Sequence, residues 1–495
     1  MNLQLLLERV PSLYPRSTID LEIHQVTTDS RQVQPGDLFI AITGTQSDGH
    51  CFIPQAIQNG AAAILVEKDL SNHSPVPVIQ VHSTREAFGL VMQAWYRYPA
   101  EKLQMTAVTG SNGKSTVAYL LHSLMNHTLS KTGLIGTAGY YTGDSLSQNP
   151  LSGPVTTPDP NQLQRLLRQF VDNHCRYAVI EASSFGLEQK RLSGLFFDAI
   201  LWTNFSPNHH LQYHITEEAY FQAKASLLQQ CKSSGVIVLN RDMIGFDQCK
   251  QMAPNALSVG FHPQADLVFH SVTSSPEKGV KLNFVFRNQP YEIVSPLVGE
   301  FQAYNLAQVF ITALHFGIPA EVAIQKLRLI QQIPGRWDII KVKEIPFTVL
   351  VDKANTLTSF SALFKNLQTQ SYHRKILVYG QVGGGDMTHR KKTGTLLSSY
   401  FDSIILTTDD PENEDPMIGI RQFLEGVPAD KLSDIRIELS RAKAIHSAIQ
   451  TAQPHDLIAV LGRGNQREFL IQGRTEVFDD TVECRKIIRS FGWKA

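Results

Sequence analysis

The chain has 495 residues, enough for about three domains each with its own core. Lys plus Arg number 45 and Asp plus Glu number 45, so the formal charge is zero and nothing points to a nucleic-acid or membrane-surface partner. Five scattered cysteines without a CxxC pair argue against a disulfide framework or a cysteine zinc site, and no stretch approaches the roughly 18 apolar residues of a membrane span, so a cytoplasmic chain is expected.

Residues 1 to about 100 read as a small α/β unit. Thr28-Asp29-Ser30-Arg31 is followed by the turn Pro35-Gly36-Asp37 and an apolar strand, Leu38 to Ile42. A polar loop, Thr43 to His50, comes next, and Ile53 to Val66 has the pattern of a helix running into a strand. On pattern alone these loops serve equally as turns and caps or as the holder of a polar ligand.

The stretch from about 101 to 337 opens on the most informative motif. Gly110-Ser111-Asn112-Gly113-Lys114-Ser115-Thr116 lies between the apolar run Met105 to Val108 and a helical pattern with Val117, Leu120, Leu121 and Leu124 on one face. Such a strand, glycine-rich loop and helix aims successive backbone amides and the positive end of the helix dipole at phosphate oxygens. Lys114 is placed for the terminal phosphates, and the hydroxyl of Ser115 or Thr116 for Mg²⁺. The spacing is GxxGKS, with Val108 standing where the longer motif has its first glycine.

Further along come the polar turn Thr156-Thr157-Pro158-Asp159 and the strand Tyr177 to Ile180, with Glu181 at its carboxyl end. Ligands of open α/β sheets sit outside the carboxyl ends of strands, so Glu181 is placed to reach a cation at the phosphate loop. The strand Ala199 to Trp202 runs into Thr203-Asn204 and a turn with His209, His210 and His214. With no cysteine nearby, one histidine near Mg²⁺ is the functional reading and surface histidines are the alternative. Lys224 lies on a helical pattern, Glu217 to Leu228, where the default is a solvated face.

From about 338 to 495, strands at Thr348 to Val351, Ile376 to Tyr379, Ile404 to Leu406 and Leu457 to Leu461 alternate with helical patterns, which implies a second parallel sheet. Its strand ends carry Asp352-Lys353, Gly383-Gly384-Gly385-Asp386, Asp409-Asp410-Pro411-Glu412 and Gly462-Arg463-Gly464, in series a crevice wall.

Together these residues resemble the Mur ligase family, most closely its MurE type, in the same order and over nearly the whole chain. The resemblance implies an α/β protein of three domains: residues 1–100 for a UDP-substrate, 101–337 with a central parallel sheet for ATP, and 338–495, Rossmann-like, for an amino acid. Asp29-Ser30-Arg31 and the loop Gly44 to His50 are similar to the family's UDP-binding region, and Gly110 to Thr116 to its ATP loop. Thr156, Thr157, Ser183, Gln189 and Arg191 fall on its contacts to a muramoyl peptide, although Phe185 replaces the histidine after the serine pair. Glu181 and His210 fall on its Mg²⁺ positions, Lys224 on the lysine the family carbamylates, and Asn305, Arg336 and Asp352 on its nucleotide contacts. The implied chemistry is amide formation through an acyl phosphate. The acyl substrate is UDP-N-acetylmuramoyl-L-alanyl-D-glutamate, the cofactors are ATP and Mg²⁺, and the pathway is peptidoglycan precursor synthesis.

Departures from the family gather in the third domain. Asp-Tyr-Ala-His-Thr-Pro becomes Asp352-Lys353-Ala354-Asn355-Thr356-Leu357. Gly-Gly-Asp-Arg-Asp becomes Gly384-Gly385-Asp386-Met387-Thr388, so the arginine that grips the incoming carboxylate is lost and Arg390 stands nearest as a substitute. Asp-Asn-Pro-Arg becomes Asp409-Asp410-Pro411-Glu412, where Glu412 would repel a distal carboxylate and disfavour diaminopimelate. Gly-Lys-Gly-His-Glu becomes Gly462-Arg463-Gly464-Asn465-Gln466, which removes the usual amine-holding glutamate. These changes keep two alternatives open: a Mur-like ligase joining a different acid and amine, and a paralogue that binds a UDP-peptide without turnover.

Overall fold

The structure, a computed structural model, describes residues 1–13, 20–44, 47–68, 74–143, 155–207, 211–275, 278–330, 333–340, 342, 345–368, 370–383, 387–411, 414–464, 466, 468–471 and 474–493. Near the N-terminus, Val26–Thr27, Leu38–Ile40, Ala63–Val66 and Val78–Gln80 form a four-stranded parallel sheet in that order. Leu38–Ile40 and Ala63–Val66 are buried at every position, as continuous apolar runs must be when both faces of a parallel sheet are covered. The strand expected to reach Ile42 ends at Ile40, and His50, bonded to Asp48, helps fold the polar loop back onto the Glu67 backbone amide.

Ten strands make the second sheet. Gln104–Thr109 lies at its centre, parallel to Phe197–Trp202 on one side and Tyr177–Glu181 on the other. Beyond Tyr177–Glu181 come Thr132–Gly136 and the antiparallel edge Gly139–Thr142. Beyond Phe197–Trp202 the sheet continues through Cys231–Asn240 and Leu257–Gly260 into a meander, Leu267–Ser275, Gly279–Phe286 and Gln289–Ser295. That meander alternates buried and open positions, the pattern of an antiparallel segment with one wet face. One apolar cluster packs helices Lys114–Thr128 and Gln302–His315 on one face, and another packs Pro160–Asp172 and Glu217–Ala225 on the opposite face. Phosphate loop, Glu181 and Thr203 therefore emerge side by side at the carboxyl edge of three adjacent strands.

The third sheet has six strands in the order Asp338–Ile339, Thr348–Asp352, Leu457–Leu461, Lys375–Gln381, Ser403–Thr408 and Ile435–Ile437, parallel except for the first. Two apolar clusters cover its faces, as the alternation of strands and helices predicts. No helix among the described residues is long and apolar enough to cross a membrane.

Candidate functional site

The glycine-rich loop closes between the strand Gln104–Thr109 and the helix Lys114–Thr128. Gly110 has φ +144°, and a Cβ there would stand 2.0 Å from Thr203 Oγ1; Gly113 has φ +86°, and a Cβ would stand 2.8 Å from Asn305 Oδ1. Both positions need glycine for conformation and for space. Asn204 steadies the loop twice, its carbonyl accepting from Ser111 N at 3.0 Å and its Oδ1 from Asn112 N at 2.8 Å. Thr203 Oγ1 donates to Asn112 O at 2.5 Å, and the Tyr220 hydroxyl lies 3.0 Å from Ser111 Oγ. Thr203, Asn204 and Tyr220 carry no motif of their own, and only their place beyond a strand end or on the helix facing the loop signals them.

Lys114 folds back on its own loop, donating to Gly110 O at 2.8 Å and Ser111 O at 3.2 Å. Burial pushes its ammonium down to about 8, against the pull of Glu181. Lys224, on the helix Glu217–Ala225 that Thr216 caps, is 1% exposed and donates to the same Gly110 carbonyl at 2.9 Å. The default of a solvated helix lysine fails here because this helix packs its inner face onto the loop. Burial first, and Lys114 second, hold the Lys224 ammonium well below the ordinary lysine range.

Across the loop, Glu181 is fully buried at the end of its strand. Its Oε1 accepts from Thr137 N at 2.8 Å, and its Oε2 accepts from Ser115 Oγ at 2.9 Å and Thr137 Oγ1 at 3.4 Å. Thr116 is buried in the first turn of the loop helix. Gly136 leaves the space the carboxylate occupies, since a Cβ there would meet Glu181 Oε1 at 2.3 Å. Thr137 and Gly136 are further residues that the sequence motifs do not single out. The donors offered are hydroxyls and a carboxylate, the hard oxygen set that suits Mg²⁺. His210 lies outside the described residues.

Thr156 Oγ1 lies 2.9 Å from Thr137 Oγ1, which ties the 156–157 turn to the same corner. Thr157 Oγ1 donates to Glu181 O at 2.7 Å and lies 3.0 Å from Ser183 Oγ, while Arg191 donates to Thr157 O at 2.6 Å. Gln189 donates to the Tyr213 hydroxyl at 2.5 Å. Phe185 packs against Tyr213 with ring centroids 4.5 Å apart, and the Arg191 guanidinium lies 4.9 Å from the Phe185 ring centre. Lys114, Ser183, Phe185, Tyr213, His214 and Lys224 line a cavity of about 250 Å³. A more open hollow of about 610 Å³ between Arg241 and His262 is lined by none of them, so the chemistry gathers at the smaller cavity.

Asn305 is buried against Gly113, with its amide donating to Gln302 Oε1 at 2.8 Å. Arg336 Nη2 reaches Ser115 Oγ at 3.3 Å, and Asp352 accepts from Trp337 N at 2.6 Å and Ala354 N at 2.7 Å. In the third sheet, fully buried Arg463 pairs with Asp409 at 2.9 Å and Asp410 at 2.7 Å, and Gln466 donates to Asp410. Gly462, φ +110°, leaves room for Asp409. Arg390 is turned inward: it donates to Glu414 at 2.6 Å, Gln422 at 2.9 Å and Val382 O at 2.7 Å. It is 2% exposed, so in this arrangement it faces Glu414 and not the crevice. Glu412 lies outside the described residues. Ser30, far from this cluster in sequence, is 5% exposed and donates to Gln55 Oε1 at 2.7 Å, steadying the loop beside it.

A phosphate loop facing a buried strand-end carboxylate, with Arg336 reaching Ser115 of that loop from just ahead of the third sheet, defines a nucleotide-dependent enzyme of several sheets. The chain belongs to the Mur ligase family: the description "Mur ligase family, catalytic domain" matches residues 22–96, "Mur ligase middle domain" 108–313, and "Mur ligase, glutamate ligase domain" 335–464. It is 34% identical to the UDP-N-acetylmuramoyl-L-alanyl-D-glutamate–2,6-diaminopimelate ligase of Aquifex aeolicus, with 94% of each chain covered. A ligase of the same name from Gloeobacter violaceus is also 34% identical, over 99% of this chain and 98% of its own. A solved structure of a ligase of that name superposes with TM-score 0.65 at 26% identity, covering 99% of each chain.

Proposed function

We propose that the protein is an ATP-dependent, ADP-forming ligase that adds an amino acid to UDP-N-acetylmuramoyl-L-alanyl-D-glutamate in peptidoglycan precursor synthesis, in the cytoplasm. The relatives bear the name of that activity over the full length of the chain. The observation that carries the mechanism is the meeting of Lys114 and Lys224 on one carbonyl, Gly110 O, across from buried Glu181. Two ammonium groups competing for one neutral acceptor form a site that an anion would relieve.

In this reading residues 1–100 hold the UDP moiety, with Ser30 in that unit, 101–337 bind ATP, and 338–495 bind the amino acid. Thr157, Ser183, Gln189 and Arg191 orient the acyl substrate, whose carboxylate attacks the γ-phosphate as ADP leaves. An amine then displaces phosphate through a tetrahedral intermediate. Lys114, released from Gly110 O, neutralises charge building on the transferring phosphoryl group, and the loop amides from Gly110 to Thr116 cradle the phosphates. Asn305, Arg336 and Asp352 fix the nucleotide. Ser115, Glu181 and His210 would hold Mg²⁺, which when bound supplies charge neutralisation at the phosphates. Lys224, buried beside Lys114 with its pKa held well below the ordinary lysine range, is suited to carbamylation, which turns a cation into a carboxylate.

The test is phosphate release with ATP, Mg²⁺ and the UDP-dipeptide against a panel of the common amino acids, ornithine and diaminopimelate. Diaminopimelate is the substrate in the relatives' names, and Glu412 in place of the family's arginine argues against it here. Release that depends on both the dipeptide and one amino acid is the expected result. Phe185, where the family has histidine, favours a second reading in which a different acyl substrate is used. Silence across the panel would transfer support to that reading or to binding without turnover.

A further inference from the structure

An incoming amino acid needs a cation for its carboxylate, and among the described residues the cations at the third-domain crevice are nearly all committed. Arg463 is fully buried on Asp409 and Asp410. Arg390 is buried on Glu414, Gln422 and Val382 O. Arg441 is spent on Asp480 and Leu461 O, and Arg336 points at Ser115 on the phosphate side. Lys353 is the exception: among the described residues its Nζ makes no hydrogen bond or ion pair, and the residue is half-buried.

Its position is set by its neighbours. The backbone amide of Lys353 donates to Gly335 O at 3.2 Å, one residue beyond the strand Thr348–Asp352. A Cβ on Gly464 would lie 3.0 Å from Lys353 Cβ and 2.7 Å from Gly335 O, so the stem of the lysine is clamped between the 335–336 and 462–464 turns. From there the ammonium feels Glu181 on the phosphate side and Asp409 on the crevice side, with Arg336 and Arg463 as the neighbouring cations. It stands between the two half-sites.

We propose that Lys353 binds the α-carboxylate of the incoming amino acid at the junction between the phosphate loop and the third-domain crevice. The inference rests on the ligase reading above and names a specificity-determining residue for it. The phosphate side already carries Lys114, Lys224 and Arg336, whereas Arg390, Arg441 and Arg463, the other cations described on the crevice side, are each paired with a carboxylate. A carboxylate on Lys353 places the α-amine one carbon away, facing the phosphate loop, and sends the side chain toward Asp409, Asp410 and Gln466. The head-group charge then recognises any α-amino acid, and the crevice selects the side chain.

The experiment compares the full chain with Lys353→Met and Lys353→Arg. Two readings are taken: the KM for the amino acid, and the positional isotope exchange in ATP that acyl phosphate formation causes before any amine arrives. Loss of one charge-assisted contact predicts that Lys353→Met raises the amino-acid KM about 30-fold, with dipeptide-dependent exchange within about twofold of the parent. Lys353→Arg should recover most of the loss. The parent should prefer the amino acid over its carboxamide by a similar factor, and Lys353→Met should erase that preference. An unchanged KM, or exchange lost together with a raised KM for ATP, would overturn the assignment and move Lys353 to the phosphate side. Absence of dipeptide-dependent exchange in the parent would overturn the ligase reading, and this inference with it.

Discussion

Lys224 illustrates how chemistry at this site depends on burial more than on residue type. On a helix surface it would be an ordinary solvated cation; here it is 1% exposed and shares Gly110 O with Lys114. Lys224→Ala is expected to lose most turnover while ATP binding is retained, measured by phosphate release beside nucleotide titration, and unchanged turnover would remove this lysine from the mechanism. Gly136 supplies a second prediction at this scale. A methyl group there would overlap Glu181 Oε1, so Gly136→Ala should displace the carboxylate, lower kcat at least about tenfold and raise the Mg²⁺ requirement, at an overpacking cost of about 1–3 kcal/mol. Normal Mg²⁺ dependence in that variant would show that Glu181 is not positioned by this contact. Lys114, Ser115 and Glu181 were legible in the sequence because each stands in a motif or at a strand end, whereas the helical pattern alone made Lys224 a solvated cation and only the family resemblance singled it out. Gly136, Thr137 and Asn204 were not legible, because they act through a backbone amide, a missing side chain or a turn that only the adjacent strands bring to the loop. Arg390 marks the opposite difference: the family resemblance offered it as a substitute for the lost arginine, and the nearby Glu414 turns it inward.

Among the elements, strands were easier to read than the ends of helices. Leu457–Leu461 runs over the residues its apolar pattern marks, since a parallel strand buried on both faces must be apolar throughout. The helix carrying Lys224 ends at Ala225 and tightens into a 3₁₀ turn, Ser226–Gln230, with no glycine or proline to announce the change. The helix Lys114–Thr128 buries His122, whose imidazole burial pushes down to about 4. The folded protein keeps it neutral, while the unfolded chain takes up a proton once the pH falls below about 6.5. This contribution to stability is complete above pH 6.5 and is lost as the pH falls toward 4, amounting to about 3 kcal/mol. His122→Leu should therefore flatten the acid limb of urea-unfolding stability in that window, and an unaltered slope would count against a neutral buried imidazole. Helix Asp480–Ser490 is tied to the third sheet by Asp480, which holds buried Arg441 through two contacts of 2.7 Å. Asp480→Ala strands that guanidinium and should cost about 3–5 kcal/mol in chemical denaturation.

At the scale of the whole molecule, the proposed function asks three separate sheets to cooperate for one amide bond to form. The contact of Arg336 with Ser115 and the electrostatic reach of Lys353 to Glu181 place the start of the third unit against the phosphate loop of the second. The order of motifs along the chain carried that architecture, because each parallel sheet announces itself as alternating apolar runs and helical patterns. The crevice was harder to read, since one departure from the family offsets another there: Asp410 is paired with Arg463. The central claim is that the acyl carboxylate, and not water, attacks the γ-phosphate. Its most direct test is turnover with ¹⁸O in the γ-carboxylate of the D-glutamyl residue of the UDP-dipeptide, followed by mass analysis of the released phosphate. Transfer of one labelled oxygen into each phosphate is the predicted result. Phosphate that carries none of the label, its fourth oxygen supplied by water, would identify the reaction as ATP hydrolysis and contradict the account.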